Sequence, residues 1–390
     1  MAIPFQYNLR SVIERWTSTI VAVVSIAGVV AVFIAVLALA HGFQKTLVSS
    51  GSPQNVIMLR GGATSEMESA VSLDQIRILQ DIDGIERSSQ GLPLVSSEVV
   101  VVAAFPMKST GTDANAQVRG VSEDVLQVRD NIRIIEGRFL NPGLNELVVG
   151  SRASQLYSGF QLGNTVLFGG SSWVVAGVFD AGGSAFDSEI WCDANNLNQT
   201  YKRPQNIFQS VTARLTSEDA FESFKNSVST DPQLTLSVER EIDFYAKQSE
   251  SVAILIRVLG FLVASVMAVG AIFGAINTMY SAVSARSVEI ATLRALGFRT
   301  RHIIISFVTE SILISLIGGV VGILLVLPIN NSAASTMNWQ SFSQLSFSFM
   351  ITPEFMLEGM LFAVLMGFLG GLFPAVRASR VPIVTALRGL

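Results

Sequence analysis

Residues 17–40 read TSTIVAVVSIAGVVAVFIAVLALA, an apolar run without a single charged side chain. A helix needs about 20 such residues to cross the roughly 30 Å of hydrocarbon in a bilayer. Three further runs of similar length follow towards the other end of the chain, at residues 252–276, 303–327 and 355–375. The pattern predicts four transmembrane helices, one before and three after a long polar block.

The composition of the chain also indicates a membrane protein. Apolar residues make up 50% of the sequence and charged residues only 14%, whereas soluble domains carry about 25% charged residues. The net charge of -4 is small, so we expect no nucleic-acid partner. A single cysteine, Cys192, and two distant histidines, His41 and His302, argue against a disulfide framework and against a Cys/His metal centre.

Basic residues predict the orientation of the helices, because loops on the cytoplasmic side carry an excess of Lys and Arg. The connection 277–302 contains four arginines, and the tail 376–390 contains three and no acid. The connection 328–354 contains neither Lys nor Arg. Both termini and the 277–302 loop are therefore predicted to lie inside, with the polar block and the 328–354 loop outside.

The first apolar run could also be read as a signal peptide, since Ala38-Leu39-Ala40 fits an A-x-A cleavage site. The apolar region of a signal peptide is typically about 7–15 residues long. The run here is longer, and residues 41–48 can continue it as a helix. We therefore expect it to remain as a transmembrane helix.

Glycines spaced four residues apart recur in the last three predicted spans. Such spacing lets two helix backbones approach closely, which drives helix association in lipid. Glycine is also frequent in membrane helices generally, so a single pair has a plain compositional explanation. We expect these positions to pack within a helix bundle or between two copies of the chain: Gly270, Gly274, Gly318, Gly322, Gly367 and Gly371.

One acidic residue, Glu310, lies inside the third predicted span, about 10 Å along the helix from Ile303. An ionisable side chain in a span is a functional candidate by default. It could also reach back to Arg299 or Arg301 at the membrane surface and only anchor the helix. The sequence leaves both interpretations open.

The 277–302 loop contains a short amphipathic pattern. Val283, Ile290, Leu293 and, less regularly, Leu296 recur at helical spacing, and Gly297 is suited to end a helix. Such a helix could lie on the inner membrane surface as an anchor. It could equally dock into a groove of a cytoplasmic partner.

The polar block is predicted to fold as an α+β domain. Asn55–Leu59 is β-rich, and Leu73–Ile82 has helical spacing behind Ser72, a residue suited to an N-cap. Neither a nucleophile elbow nor a glycine-rich phosphate loop occurs in the block, so we expect no catalytic site in it. Trp173 and Trp191 are expected in its core.

The predicted fold class is thus a membrane protein with four transmembrane α-helices in a 1+3 order. A large extracytoplasmic α+β domain is inserted between the first and second helices. Within it we predict a membrane-proximal lobe (50–105 and 207–245) and an inserted β-rich lobe (106–206). The expected order is a cytoplasmic segment (1–16), helix 1 with its stalk (17–48), the outer domain (49–245), a stalk with helix 2 (246–276), a cytoplasmic loop (277–302), helix 3 (303–327), an outer loop (328–354), helix 4 (355–375) and a cytoplasmic tail (376–390).

Three segments of the chain resemble one family. The loop segment ARSVEIATLRALGFR (285–299) with Glu310 after it looks like the inner loop of FtsX-like permeases, the membrane subunits of MacB-type ABC systems. The tail PAVRASRVPIVTALRGL (374–390) is similar to the ending of that family. The segment VRGVSEDVLQVRDNIRIIEGRFL (118–140) resembles its extracytoplasmic domain. The resemblance covers nearly the whole chain.

The resemblance implies that the inner loop receives ATP-driven motion from an ATPase subunit and passes it to the outer domain. Glu310 then matches the family's acidic position in the third span. None of the five lysines follows a glycine, so no P-loop is present and the chain is not expected to be an enzyme or to bind a cofactor itself. The docking helix would use Arg286, Glu289, Ile290, Leu293, Arg294 and Gly297.

The implied assembly is a homodimer with two ATPase subunits that bind ATP and Mg, in the bacterial cytoplasmic (inner) membrane. A periplasmic adaptor protein and an outer-membrane channel are further implied partners, and export is the implied function. Lipoprotein extraction and FtsX-like control of a cell-wall hydrolase are alternatives within the superfamily. A membrane sensor with an outer ligand domain is the alternative from a different class. The sequence does not specify a substrate.

Overall fold

The computed structural model describes residues 16–338 and 341–380. Nearly all of the predicted cytoplasmic segment 1–16 and the end of the predicted tail 376–390 lie outside these residues. The described residues form two compact units. We call Gly42–Ala253 with Ala333–Ser348 the α+β unit, and residues 16–41, 254–332 and 349–380 the helical unit.

The described residues contain ten α-helices. They are α1 Trp16–Val48, α2 Leu73–Asp81, α3 Val125–Val128, α4 Ser151–Leu156, α5 Ala194–Thr200, α6 Ala220–Thr230, α7 Glu241–Ala285, α8 Ser287–Ala295, α9 Thr300–Val326 and α10 Pro353–Ser379. Short 3-10 turns occur at Glu66–Glu68, Ala185–Ser188 and Leu327–Ile329.

The strands all belong to the α+β unit. They are β1 Asn55–Arg60, β2 Val71–Ser72, β3 Val95–Pro106, β4 Asp113–Val121, β5 Arg133–Gly137, β6 Glu146–Gly150, β7 Thr165–Phe168, β8 Ser171–Asp180, β9 Ile190–Asp193, β10 Ile207–Phe208, β11 Ser210–Arg214, β12 Leu236–Arg240, β13 Ala333–Asn338 and β14 Ser343–Ser348.

Four helices in the described part of the chain are long and apolar enough to cross a membrane: α1, α7, α9 and α10. Two of them extend well beyond the apolar runs, since α1 continues to Val48 and α7 begins at Glu241. Helix α10 starts at Pro353, and the side chain of Thr352 caps it by accepting a hydrogen bond from Phe355 N. The chain is therefore a membrane protein that also carries an α+β domain.

One sheet dominates the α+β unit, with strand order β12-β1-β11-β3-β4-β9-β6-β8-β5 and β7 paired to β8. The long strand β3 joins its two parts. The first residues of β3 pair with β11, as in Glu98 opposite Ser210, and the later residues pair with β4, as in Val99 opposite Gly120. Residues from the predicted membrane-proximal lobe thus supply one side of the sheet and residues 106–206 the other.

The N-cap at Ser72 and the burial of the two tryptophans, both predicted from the sequence, are confirmed in the α+β unit. Helix α2 begins behind a capping box in which the side chains of Ser72 and Gln75 satisfy each other's backbone N–H groups. Trp173 and Trp191 are fully buried. Trp173 stacks on Phe168 with ring centroids 5.0 Å apart. These aromatic side chains are core, as predicted.

The predicted outer loop 328–354 contains a β-hairpin, β13–β14, that packs in the α+β unit. Ser346 N donates to Ser188 Oγ at 3.0 Å, and Arg152 Nη2 donates to Ser348 Oγ at 3.1 Å. Phe347 meets Phe43 edge to face at 5.7 Å. The alternation of Leu345 and Phe347 with serines was the available sequence signal for a strand, because apolar residues at every second position mark a half-buried face.

Candidate functional site

Helix α8 is the amphipathic helix of the 277–302 loop. It ends in a Schellman motif, in which Phe298 N donates to Leu293 O and Gly297 N donates to Arg294 O, both at 3.1 Å. Gly297 has φ +96°, a left-handed conformation that favours glycine. Arg294 lies in the last turn, where a positive charge is favourable beside the free carbonyl groups.

One predicted docking residue faces the inside of the helical unit. Ile290 is buried in an apolar cluster that includes Met279, Ile303 and Phe307. Its side chain therefore seats α8 on the neighbouring helices and is not available to a partner in this conformation. Leu293 is half-buried.

The apolar side chains that α8 and its end offer to solvent are instead Val288, which is 51% exposed, and Leu296, which is 73% exposed. Neither residue is among the docking residues predicted from the sequence. Leu296 fits the helical spacing of Val283, Ile290 and Leu293 only irregularly, and Val288 lies off that stripe, so the signal for both was weak. Glu289 is also exposed on this helix.

Arg286, at the start of α8, connects the loop with the intramembrane acid. Its Nε donates to Glu289 Oε2 at 2.8 Å and its Nη1 donates to Glu310 Oε2 at 3.2 Å. Glu310 is only 2% exposed, and the Arg286 guanidinium lies 5.6 Å from the centroid of the Phe307 ring. The ion pair shown for Glu310 thus runs to Arg286, whereas Arg299 and Arg301 were the partners considered in the anchor interpretation. This ion pair ties the beginning of α8 to α9.

Four of the predicted packing glycines lie against other helices of the helical unit. A Cβ at Gly318 would come within 3.0 Å of Ile26, and one at Gly322 within 2.7 Å of the Ala27 carbonyl oxygen. A Cβ at Gly367 would lie 2.2 Å from Ser315 Oγ, and one at Gly371 2.5 Å from Ser311 Cβ. Ser311 Oγ also donates to Gly367 O at 2.7 Å.

The remaining two glycines, Gly270 and Gly274, are different. A Cβ at either position would meet no heavy atom within 4 Å in the described part of the chain. A third glycine on the same helix, Gly260, was not predicted and packs on α1, where its Cβ would lie 1.9 Å from Val36. Helix α7 therefore packs within the chain near Gly260, and it leaves a face open around Gly270 and Gly274.

The α+β unit contains a buried cluster of charges that the sequence analysis missed. Its members are almost fully buried side chains on different strands and turns and at the start of α7. Arg119 Nη1 donates to Glu66 Oε1 and to Glu98 Oε2, both at 2.7 Å. Arg129 pairs with Glu98 as well, and its Nε donates to Glu241 Oε1 at 3.0 Å. The buried charged cluster comprises Glu66, Glu98, Arg119, Arg129, Glu189 and Glu241.

Glu241 is the first residue of α7 and fixes this end of the helix. Besides Arg129, Asn55 Nδ2 donates to its Oε2 at 3.0 Å, and Ser52 N donates to the same oxygen at 3.2 Å. A Cβ at Gly51 would lie 2.4 Å from the backbone of Ile242. The segment after α1 and the start of α7 are thus in direct backbone contact inside the α+β unit.

The electrostatic balance differs between the acids of the cluster. Burial acts to raise the pKa of Glu98, but Arg129 and Arg119 hold that pKa below its ordinary value. Burial raises the pKa of Glu189 above its ordinary value, although Arg119 acts in the opposite direction. Negative charge is therefore well compensated at Glu98 and less so at Glu189.

Two known families match the chain. Residues 19–230 match the family described as MacB-like periplasmic core domain. Residues 261–383 match the family described as FtsX-like permease C-terminal. The first match alone covers more than half of the chain.

Curated relatives of the chain are ABC-transporter proteins at low identity. The uncharacterized ABC transporter permease YknZ of Bacillus subtilis is 24% identical over 97% of both chains. The macrolide export ATP-binding/permease protein MacB 1 of Aeromonas hydrophila is 26% identical over 93% of this chain and 56% of that protein. The chain thus spans nearly all of the first relative and about half of the second.

The solved structure of the periplasmic region of MacB from Actinobacillus actinomycetemcomitans is also similar, with 13% identity and a TM-score of 0.38 over 51% of this chain and 92% of that one. The family assignment rests on the sequence matches alone, since they include the polar block and the last three apolar runs. The chain belongs to the family of ABC-transporter permeases with a MacB-like periplasmic core domain and an FtsX-like C-terminal region.

Proposed function

We propose that this chain is the permease subunit of a MacB-type ABC transporter, which couples a separate ATPase to work on a substrate outside the membrane. Helix α8 is the observation that carries the proposal. It lies between two candidate membrane helices and ends at a left-handed glycine, Gly297. The helix and the residue after it expose Val288 and Leu296 near the charged side chains of Glu289 and Arg294. A partner with an apolar groove and a charged rim would fit this surface.

In the proposed orientation, the chain lies in the bacterial inner membrane with both termini and α8 in the cytoplasm and the α+β unit outside. The four helices then cross the membrane in a 1+3 order. The scarcity of Lys and Arg between residues 328 and 354 supports this orientation. ATP and Mg would be bound by the partner ATPase.

Motion would reach the α+β unit along α1 and α7, which are continuous helices that extend past their apolar runs. Glu241, the first residue of α7, fixes the start of this helix in the α+β unit by accepting hydrogen bonds from Arg129 and Asn55. A buried, multiply hydrogen-bonded carboxylate transmits displacement better than a solvated side chain, because its partners cannot relax into water. This supports mechanical transmission as the mechanism.

A second copy of the chain is the proposed partner within the membrane. The open face of α7 around Gly270 and Gly274 supports it, since small residues at this spacing suit close helix contact. A periplasmic adaptor protein and an outer-membrane channel are further proposed partners for export. An ATPase partner without an adaptor would favour lipoprotein extraction instead.

We expect Leu296→Glu to reduce the amount of ATPase that co-purifies with the tagged full-length chain by about tenfold or more. An exposed apolar anchor at an interface contributes more than about 1 kcal/mol, and 1.4 kcal/mol corresponds to a factor of ten. The measurement is mass spectrometry of affinity-purified material from native membranes in mild detergent. Leu293→Glu is the second variant, and it should act in the same direction.

The control is Leu92→Glu, a change at a 55% exposed leucine of the α+β unit, which should retain the ATPase. If no P-loop ATPase co-purifies with the unmodified chain, the proposed function is wrong. If the ATPase is present but Leu296→Glu retains it at the level of the control, the docking surface is wrong and the function stands.

We expect Glu310→Gln to lower ATP hydrolysis by the assembled complex severalfold while the complex stays intact. The substitution removes the charge that pairs with Arg286 and leaves a half-buried guanidinium with less compensation, so α8 is held less firmly on α9. ATPase rates of complexes purified to equal stoichiometry are the measurement. Glu354→Gln, at an exposed acid in the first turn of α10, is the control. Equal ATPase rates for Glu310→Gln and Glu354→Gln would mean that Glu310 only anchors the helix and has no part in coupling.

A further inference from the structure

A groove runs along the outer edge of the large sheet in the α+β unit. Strand β12 is the last strand in the order of this sheet, and among the described strands it pairs only with β1. All five residues of β12 line the groove, together with residues of α6 and of the first turns of α7, whereas none of the described residues of β1 does. Its volume of about 560 Å³ lies in the range of roughly 300–1,000 Å³ that is usual for ligand clefts.

The register of β12 shows which backbone groups face the groove. Gly61 N donates to Thr235 O at 2.8 Å, and hydrogen-bonded pairs alternate with non-hydrogen-bonded pairs along an antiparallel ladder. The next residue of β12 that turns its backbone groups to β1 is therefore Ser237. Leu236 and Val238 turn their N–H and C=O groups to the open side. The edge thus offers alternating donors and acceptors to a further strand.

Successive side chains of β12 point to opposite sides of the groove. Val238 packs in the same core cluster as Phe221 of α6, and the guanidinium of Arg240 lies 4.5 Å from the centroid of the Phe221 ring. Glu239 instead pairs with Lys247 of α7 at 2.9 Å. One side of the groove is therefore formed by α6 and the other by α7.

The two sides carry opposite charge. On the α6 side the charged lining residues are Lys225 and Arg240, both basic. On the α7 side, Asp243 and Glu250 are exposed acids, and the ion pair between β12 and α7 adds no net charge. An occupant that fits both sides therefore carries an acid towards α6 and a base towards α7. Two consecutive residues of an extended strand place their side chains in this way.

We propose that the groove binds an extended peptide segment of a partner protein, which adds to β12 as a further strand and directs an acidic side chain to α6 and a basic one to α7. Strand addition to an exposed sheet edge takes its affinity from main-chain hydrogen bonds and its specificity from alternate side chains. Charged side chains alone can also protect an edge against aggregation. Such protection needs no concave space beside the strand, whereas this edge has one.

The test measures binding of a fluorescein-labelled hexapeptide, Thr-Val-Glu-Lys-Val-Thr, to the full-length protein in nanodiscs by fluorescence anisotropy. The control peptide, Thr-Glu-Val-Lys-Val-Thr, has the same composition but directs both charges to one side of a strand. We expect the first peptide to bind saturably and the control to bind at least about fivefold more weakly, because one of its charges then faces a like charge. Equal binding of the two peptides, or no saturable binding of the first up to about 1 mM, would overturn the proposal.

Backbone methylation tests the strand addition itself. Two versions of the first peptide carry N-methyl groups on alternate backbone nitrogens, and only one of these two sets of N–H groups can face β12. We expect one version to bind at least about tenfold more weakly and the other to keep most of its affinity. Unchanged binding of both versions would mean that the peptide is held by its charges alone, which contradicts the proposal.

Lys225→Glu locates the peptide in this groove, since it reverses an exposed charge of the α6 side. We expect it to weaken the first peptide at least about fivefold and to strengthen the peptide Thr-Val-Lys-Lys-Val-Thr by a similar factor. Lys202→Glu, at an exposed lysine outside the groove lining, should leave both affinities unchanged. If Lys225→Glu behaves like this control, the peptide binds elsewhere and the proposal is wrong.

Discussion

Replacing Arg129 with methionine is expected to destabilise the α+β unit by about 3–5 kcal/mol. The substitution keeps much of the buried volume but removes the guanidinium shared by Glu98 and Glu241, both of which are fully buried. Two carboxylates would then lie in the interior with too few positive neighbours. Arg129 also lies over the Phe186 ring at 4.7 Å, and that contact would be lost.

The measurement is unfolding of the full chain in nanodiscs, followed by the fluorescence of the buried Trp173 and Trp191. A fall of roughly 10 °C or more in the unfolding midpoint is expected. Arg77→Met is the matched control, because the ion pair of Arg77 with Asp74 at 3.6 Å is exposed, and such pairs contribute about 0–1 kcal/mol.

A double variant distinguishes lost charge balance from lost packing. The double variant Arg129→Met with Glu98→Gln should lose less stability than the sum of the losses in the two single variants. Removing one partner of a buried ion pair is costly mainly when the other partner remains charged and buried. A midpoint of Arg129→Met within about 2 °C of the Arg77→Met control would show that the cluster does not hold the α+β unit together.

The second large effect is expected in the helical unit, where Gly371→Leu should cost about 3 kcal/mol. A Cβ at this position would lie 2.5 Å from Ser311 Cβ and 3.5 Å from the Val308 backbone. The side chain cannot be accommodated by a rotamer change alone, so α9 and α10 would have to separate. The hydrogen bond from Ser311 Oγ to Gly367 O would then be strained or broken.

Gly28→Leu is the matched control for this change, since a Cβ at Gly28 would meet nothing within 4 Å in the described chain. The unfolding midpoint in nanodiscs should fall by roughly 6–12 °C in Gly371→Leu and should change little in the control. Equal midpoints for the two variants would mean that the contact between α9 and α10 tolerates separation at this point.

Much of the architecture follows from short-range patterns in the sequence. The four apolar runs give four helices that are long enough to cross a membrane, and Ser72 starts α2 as an N-cap residue. These features are local, since hydrocarbon thickness and capping geometry act on consecutive residues. The hairpin β13–β14 was missed because the positive-inside rule describes only the charge of a loop and says nothing about its pairing.

The candidate sites were predictable to different degrees. Gly297 and the helix before it follow from periodicity, and the structure gives them a Schellman ending. The exposed side of α8 did not follow, because Ile290 was expected to face a partner and instead packs on Ile303 and Phe307. Which face of a short helix is buried depends on its neighbours, and these are set by contacts far apart in the chain.

By itself, the sequence determined that this is a membrane protein with four apolar helices, a polar α+β block, and the family to which it belongs. The tertiary structure alone decided that Glu310 meets Arg286 and that Glu66, Glu98, Glu189 and Glu241 converge on two arginines. Apolar periodicity records which side chains avoid water, whereas ion pairs between distant segments leave no periodic signal. Only the folded chain shows which buried charges meet.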